Sequence, residues 1–287
     1  MKIVTDSAAN LTSEKIALLD VEVLPFHISF MGKSYQDGVT LFPADLYRLL
    51  RENPAEVTTT SQPSPGDFVS IYEKYPGDEI LSIHLSSGLS GTYASAVGAA
   101  QILEGWPITV VDTKTVGPAL GWIVEVASHG VNLGWPKERI LEAVKQVREN
   151  TLTMVAFTDM HHLLHSGRIS HLKGFVASLL GIKPIITMND TDGRYASVGQ
   201  ERTMSRMVEK MASVVAGRFG KQELRMQFMH GDNLPGLALL REAVNRAVSS
   251  VEDPLVVVTS VLGAHAGPTV IGLAAMPTAV SRELLAG

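Results

Sequence analysis

Two loops rich in hydroxyl side chains are the places where this chain could bind an anion. The first, TTTSQPSPGDF, covers residues 58–68, and the second, HLSSGLSGTY, covers residues 84–93. Each is predicted to run into a helix, the first near Pro65, which suits a first helical turn, and the second near Gly91. Free N–H groups at a helix start favour an anion, and Ser and Thr add neutral donors. The same residues are common helix caps and turn formers, so both interpretations stay open.

Two further side chains could complete such a site. Arg168 follows a glycine in HSGRIS, and a guanidinium fork can bind a carboxylate or a phosphate. His265 lies in GAHAGP, within residues 254–281, which contain no Asp, Glu, Lys or Arg. Taken singly, Arg168 is more often a surface residue or an ion-pair partner, and His265 is more often a core histidine whose hydrogen bonds are satisfied.

The patterns for enzymatic and metal chemistry are weaker. Ser90, His84 and Asp112 are residue types that a hydrolase uses, but the nucleophile-elbow pattern G-x-S-x-G is missing. His161 and His165 are spaced to share a helix face as metal ligands, but no adjacent Glu completes an H-E-x-x-H motif. Phosphate-loop and G-x-G-x-x-G patterns are also missing, so tight nucleotide binding is not indicated.

Composition narrows the class of protein. The 287 residues are 45% hydrophobic and 18% charged, as in ordinary globular proteins, and the net charge is −5. Because no Lys/Arg block occurs, nucleic acid and anionic membrane surfaces are poor partners. The lack of cysteine excludes disulfides, thiolate nucleophiles and cysteine-based metal sites. No apolar signal segment follows the initial MKIVTDS, so we expect a cytoplasmic protein.

The elements that position the loops alternate between strands and helices in the first half. Strands are predicted at 2–5, 79–84 and 108–112, an extended segment at 21–30, and helices at 43–51, 65–75, 91–103, 118–130 and from 136. This alternation indicates βαβ units and a mainly parallel sheet with flanking helices. Ligands of such sheets bind beyond the carboxyl ends of the strands, where both hydroxyl-rich loops are expected.

The second half predicts an α+β layer. Its predicted elements are a strand at 154–159, a short helix before HSGRIS, a hairpin around 190–193, a helix over 202–216, a strand at 224–230 and a helix at 234–248. Residues 254–281 are long enough for a membrane span, but their glycines and prolines indicate short buried strands instead. We therefore predict an α/β domain at 1–152 and an α+β domain at 153–287.

In this order, the motifs resemble those of the DegV family, the fatty-acid-binding subunits of bacterial fatty acid kinases. The similarity runs along nearly the whole chain and includes, besides HSGRIS and GAHAGP, these segments: TDSAANL at 5–11, TTSQPSPGDF at 59–68, SSGLSGTY at 86–93, VDTKT at 111–115, LLGIKPI at 179–185 and ERT at 201–203. One departure is Thr269 after Pro268, where the family usually reads HxGPG.

The resemblance implies a cytoplasmic bacterial protein whose two domains enclose one long-chain fatty acid. Thr60, Ser90 and His265 would bind its carboxylate. Ser61, Gly91 and Arg168 would also be ligand-binding residues, and Arg202 would lie near the head group or face a partner. A separate kinase subunit would supply the nucleotide and convert the carboxylate to an acyl phosphate. This chain would then have no catalytic turnover and no cofactor besides the bound lipid, and transient membrane contact for acyl exchange fits the role.

The chemistry of these residues is compatible with that role. A carboxylate in apolar surroundings needs several hydrogen bonds, and hydroxyls and backbone N–H groups can donate charge-assisted ones. Two alternatives stay open: a hydrolase that acts on a small ester or carboxylate through Ser90 and His265, and a regulatory protein that binds a different lipid.

Overall fold

The computed structural model describes residues 1–172 and 181–286. The strands are β1 Lys2–Asp6, β2 Val21–Leu24, β3 His27–Phe30, β4 Lys33–Gln36, β5 Thr59–Ser61, β6 Ile80–His84, β7 Ile108–Asp112, β8 Leu152–Ala156, β9 Lys183–Met188, β10 Tyr195–Glu201, β11 Leu224–His230, β12 Ser250–Glu252, β13 Val256–Val257 and β14 Ile271–Pro277. The helices are α1 Ser13–Leu19, α2 Pro43–Glu52, α3 Pro65–Tyr72, α4 Thr92–Ile102, α5 Pro118–Asn132, α6 Lys137–Asn150, α7 His161–His165, α8 Met204–Phe219, α9 Leu234–Ala247, α10 Ser260–Ala266 and α11 Thr278–Leu285. Residues 179–180 of the LLGIKPI motif lie outside the described residues.

The first half is built on a four-stranded parallel sheet with the order β2-β1-β6-β7. Helices α3 and α4 pack against it through a core that includes Phe68 and Ala96. Helices α5 and α6 contribute to a second core through Ile123 and Val144. The predicted parallel sheet with flanking helices is confirmed, and the loop of residues 84–93 leaves the carboxyl end of β6 as expected.

The first hydroxyl-rich loop differs from the prediction. Its residues Thr59–Ser61 form β5, which pairs with β3 in a separate antiparallel sheet of order β4-β3-β5. A run of β-branched threonines favours an extended backbone that can pair. The extended segment at 21–30 also divides, because β2 joins the parallel sheet and β3 joins the antiparallel one. Thr60 is therefore fixed in a strand, opposite Ile28.

The second half contains a mixed sheet with the order β10-β9-β8-β14-β11-β12, and β13 also pairs with β11. Its pairs are antiparallel except those of β11 with β12 and β13. Helices α8 and α9 pack on the sheet through side chains such as Met207, Met211 and Leu240. The predicted α+β layer and the hairpin at 190–193 are confirmed, and the methionines of α8 belong to the core of this half.

The apolar stretch 254–281 is largely buried and contains two short strands, as predicted, but it also contains a helix that the sequence analysis did not predict. Only β13 and β14 are extended, and helix α10 lies between them. Asp37 accepts a hydrogen bond from the first backbone N–H of α10, that of Ser260, at 2.9 Å, which helps to satisfy a helix start. The helix places His265 in its last turn. Among the described residues, no helix has the length and apolar character that crossing a membrane requires.

Helix α10 is bound to the first half of the chain by long-range hydrogen bonds. The Tyr47 hydroxyl donates to the Val258 carbonyl at 3.1 Å, just before the helix, and Thr58 Oγ1 donates to the Ala264 carbonyl at 2.7 Å. Thr60 of β5, two residues after Thr58, and His265 of α10, directly after Ala264, are therefore brought together. These bonds fix the positions of Thr60 and His265 relative to one another.

An ion-pair network also joins the two halves. Arg225 of β11 lies 2.6 Å from Glu125 of α5 and 2.8 Å from Asp253. The three side chains are largely buried, and Trp122 Nε1 donates to the same Asp253 carboxylate at 2.8 Å. The mixed sheet begins at Leu152, while the domain boundary near residue 152 stays a prediction.

Candidate functional site

His265 and Thr60 form the centre of the site. Thr60 Oγ1 and His265 Nε2 lie 2.8 Å apart, although the residues are far apart in the chain. The other imidazole nitrogen, Nδ1, is buried and has no hydrogen-bond partner among the described residues. Buried polar atoms are rarely left unpaired in folded proteins. Nδ1 is therefore available for a hydrogen bond with a group that enters the site.

Burial decides the charge of this histidine. Burial, and secondarily the nearby Arg168 guanidinium, lower the pKa of His265 to about 3, because both disfavour the imidazolium form. The ring is therefore neutral at physiological pH. Thr60 and His265 thus offer neutral hydrogen-bonding groups, and the positive charge of Arg168 acts on His265.

Ser90 lies in the turn that leads from β6 into α4. Its hydroxyl is 2.9 Å from Thr92 Oγ1 and accepts a hydrogen bond from the Thr92 backbone N–H at 3.3 Å. Gly91 is the residue just before the helix, and a Cβ there would lie 2.8 Å from Gln62 Nε2. The absence of a side chain at residue 91 therefore lets the two hydroxyl-rich segments approach each other closely.

A cavity of about 910 Å³, including its opening, lies against these groups. Thr60, Ser90, Arg168 and His265 all line the cavity. The other lining side chains are mostly apolar and come from both halves of the chain: Ala8, Phe26, Leu85, Leu89, Val116, Val155, Phe157, Leu163, Ile186, Met188, Met229, Val258, Val261, Leu262, Ala266 and Val270.

The remaining predicted site residues lie elsewhere. Ser61 and Gly91 are exposed and are not among the residues that line the cavity. Arg202 is exposed between β10 and α8 and likewise does not line it. Ser61 points away because alternate residues of a strand face opposite sides, so Thr60 and Ser61 of β5 cannot both face the cavity.

Arg168 follows the short helix α7. Gly167 has a φ of 74°, a left-handed conformation that glycine adopts readily, and this turns the chain after the helix. The guanidinium Nη1 donates to the Ser166 carbonyl at 2.6 Å. Across the cavity, burial raises the pKa of Tyr195 to about 12, while the positive charge of Arg168 acts in the opposite direction.

The structure contradicts the hydrolase arrangement considered for Ser90, His84 and Asp112. His84 is fully buried, and its ring nitrogens lie 2.9 Å from Asp6 and 2.6 Å from Ser82. Asp112 instead lies 2.8 Å from the Lys114 ammonium. The Ser90 hydroxyl is also not bonded to His265, so the structure lacks the nucleophile–base hydrogen bond of a serine hydrolase.

The buried Asp6–His84 pair has a structural role beside the cavity. The Asp6 carboxylate accepts hydrogen bonds from the backbone N–H groups of Ala8 and Leu85, each at 3.1 Å. Both residues line the cavity. The TDSAANL motif thus holds one part of the cavity wall, at the carboxyl ends of β1 and β6.

The histidine pair that suggested a metal site has a different arrangement. The rings of His161 and His165 are 4.6 Å apart, and His165 Nδ1 lies 2.7 Å from the His161 carbonyl. Over residues 1–172 and 181–286, no group of three or more His, Asp or Glu side chains could hold a metal ion. The pair therefore lacks the third protein ligand that zinc sites have.

The sequence analysis missed most of the cavity wall. Tyr195 and Met188 line it from the two strands of the hairpin, and Met229 lines it from β11. Apolar side chains in strands are expected in any core, so nothing in their pattern distinguishes a cavity wall from solid packing. The one available signal was the number of methionines, which often line adaptable apolar cavities.

Comparisons with known proteins agree with this architecture. The family model described as "Uncharacterised protein, DegV family" matches residues 1–278. A DegV domain-containing protein of Staphylococcus aureus (strain N315) is 34% identical over 274 residues, 94% of this chain and 96% of that protein. A solved structure on fatty acid binding of a DegV family protein from Thermus thermophilus is 29% identical, with a TM-score of 0.86 over 96% of this chain and 99% of that one. A Thermotoga maritima structure, reported to reveal a fatty acid binding function, is 25% identical, with a TM-score of 0.83 over 96% of this chain and 98% of that one. The family that the motifs resemble is therefore confirmed: this chain belongs to the DegV family.

Proposed function

We propose that this protein binds one long-chain fatty acid, with the acyl chain in the cavity and the carboxylate at Thr60, Ser90 and His265. The observation that carries the proposal is the hydrogen-bonded Thr60–His265 pair at an apolar cavity, with the His265 Nδ1 atom buried and unpartnered. The fatty acid binding reported for the relatives from Thermus thermophilus and Thermotoga maritima supports it.

The energetics favour a long chain with an ionised head group. Burial of each methylene contributes ~0.8 kcal/mol, so a C16 chain gains on the order of 10 kcal/mol. An unpaired buried carboxylate would cost several kcal/mol. Hydroxyl donors and the Arg168 guanidinium offset that cost through charge-assisted hydrogen bonds. A neutral imidazole can also donate one such bond, from whichever ring nitrogen carries the proton.

We also propose that the chain presents this carboxylate to a separate kinase subunit, which forms the acyl phosphate, and has no turnover alone. The lack of a Ser90–His265 hydrogen bond and the absence of a phosphate-loop motif support this division of labour. Thr60 and Ser90 suit this role because their charge-assisted hydrogen bonds to the carboxylate weaken once its oxygen is phosphorylated. The exposed Arg202 is the proposed contact with the partner. A kinase uses ATP, so we assign this role to the cytoplasm, with transient membrane contact for acyl exchange.

The lipid part is tested by native mass spectrometry of the purified protein and by titration with hexadecanoic acid. We expect a C14 to C18 acid to co-purify. Thr60→Val should weaken binding by about 1–3 kcal/mol, the effect of losing one hydrogen-bonding group. Thr59→Val is the matched control, because Thr59 is the exposed neighbour on the same strand. Equal affinity of both variants, or an empty protein that hydrolyses esters, would contradict the proposal.

The kinase part needs a different measurement. The fatty-acid-loaded protein is mixed with a bacterial fatty acid kinase catalytic subunit and ATP, and acyl phosphate is trapped with hydroxylamine. Arg202→Ala should lower the rate of trapping and leave hexadecanoic acid affinity unchanged. Arg206→Ala, an exposed arginine on the following helix, is the control. No acyl phosphate with the wild-type protein, or equal rates for the two variants, would contradict the partner role of Arg202.

A further inference from the structure

A second, more open pocket adjoins the fatty-acid cavity. Its lining includes Arg168, Arg194, His171 and Ser170, and it shares Leu89 and Arg168 with the cavity. Arg168 therefore borders both spaces. We call this second pocket the arginine pocket. The shared residues place it directly beside the part of the cavity that Arg168 lines, where the carboxylate is proposed to bind.

The hairpin turn positions Arg194 at this pocket. Ser86 Oγ donates to the Gly193 carbonyl at 2.7 Å, which attaches the turn to the loop that carries Ser90. A Cβ on Gly88 would lie only 2.5 Å from the Asp192 carbonyl oxygen, so the two segments are in close backbone contact. The Asp192 carboxylate is engaged locally, because it accepts a hydrogen bond from the Arg194 backbone N–H at 3.0 Å.

The charges of the arginine pocket are uncompensated. Within the part of the chain that the structure describes, neither Arg168 nor Arg194 forms an ion pair with a carboxylate. Lys114, close in the fold, is by contrast paired with Asp112. Two guanidinium groups that line one concave space repel each other unless an anion lies between them. Their planar forks are suited to a phosphoryl group, which they can bind in a bidentate manner.

We propose that the arginine pocket binds a phosphoryl oxyanion, namely the phosphoryl group of an acyl phosphate whose chain occupies the cavity. The inference rests on the proposed fatty-acid site. A free carboxylate would be bound by the Thr60–His265 end, and the added phosphoryl group would extend past Arg168 to Arg194. Ser170 adds a hydroxyl donor at the same pocket. The protein would then bind substrate and product through one shared acyl cavity and two different head-group positions.

The test compares three probes. They are hexadecanoic acid, inorganic phosphate, and 2-oxoheptadecylphosphonate, a stable mimic of hexadecanoyl phosphate in which a methylene replaces the bridging oxygen. The affinity of each is measured by displacement of a fluorescent fatty acid or by calorimetry. Arg194→Gln is the test variant, since Arg194 is exposed and its guanidinium forms no hydrogen bond or ion pair among the described residues. Arg206→Gln, also exposed, is the matched control.

We expect Arg194→Gln to weaken binding of the phosphonate by ~10- to 100-fold, the effect of removing a charged hydrogen-bond donor. Its affinity for hexadecanoic acid should stay within about twofold, and Arg206→Gln should change neither. If Arg194→Gln lost the same affinity for hexadecanoic acid and for the phosphonate, or lost none for the phosphonate, the proposed phosphoryl site would be overturned. Binding of inorganic phosphate that depends on Arg194, without a loss for the phosphonate, would show a site for free phosphate and would also overturn it. If the wild type bound neither lipid, the proposed fatty-acid function itself would fail, and the inference with it.

Discussion

The pH dependence of stability gives a direct test of the electrostatics at His265. In the unfolded chain the imidazole has its ordinary pKa of 6.5, whereas in the folded protein its pKa is lowered to about 3. As the pH falls below 6.5, the unfolded state takes up a proton that the folded state does not, so the folded state loses stability. The contribution of the neutral His265 to the free energy of unfolding is fully present above pH 6.5 and declines as the pH falls towards 3. At pH 4.5 the loss amounts to about 2.7 kcal/mol, from ~1.36 kcal/mol per pH unit over two units.

The assay is urea unfolding of the delipidated protein at intervals from pH 8 to pH 4.5. Wild type should lose about 2.7 kcal/mol relative to His265→Gln over this range. Thr60→Val removes the Thr60–His265 hydrogen bond but keeps the imidazole. It should therefore lower the free energy of unfolding by a similar amount at every pH, without changing its slope against pH. Burial raises the pKa of Asp37 to about 6, which acts in the opposite direction but is common to all three proteins. Parallel curves for wild type and His265→Gln would refute the assignment of a buried, neutral histidine.

Two further substitutions test the packing between the halves and beside the site. Arg225→Met should destabilise the protein by about 3 kcal/mol in urea unfolding, because it leaves two largely buried carboxylates without their cation. Arg241→Met, which removes a more exposed ion pair, should cost less than about 1 kcal/mol, and equal losses would contradict this view. Gly193→Ala should cost more than Gly77→Ala in the same assay. Both glycines have positive φ, but a Cβ at Gly193 would clash with Ser86 Oγ, whereas a Cβ at Gly77 would meet open space. The excess should be about 1 kcal/mol or more, the value of the Ser86 hydrogen bond, and an excess near zero would show that the turn is not held there.

Most elements could be predicted from sequence because their signals are local. Alternating strands and helices indicated the parallel sheet, and the hairpin followed from the turn residues at 190–193. The errors occurred where tertiary pairing overrides local pattern. Residues 59–61 form a strand because β3 is there to pair with them, and residues 260–266 form a helix in a run whose apolar composition fits a buried strand equally well.

The site residues, too, could be predicted from sequence only in part. Thr60, Ser90, Arg168 and His265 were identified by residue type and by the family resemblance, and all four line one cavity. Ser61 and Gly91 were included because they are neighbours in sequence, but adjacent positions on a strand or at a helix start face different directions. Arg194 had no motif of its own, because its importance comes from a turn that is attached to a distant loop.

The sequence by itself determined the residue types available: hydroxyls at helix starts, no cysteine, and a long apolar stretch containing one histidine. These are properties of composition and short-range spacing, and they limit the chemistry to neutral hydrogen bonding beside apolar surface. Only the tertiary structure decided that His265 is neutral and that its partner is Thr60. Both depend on burial and on a contact between residues about two hundred positions apart, and desolvation arises from the whole fold rather than from any segment.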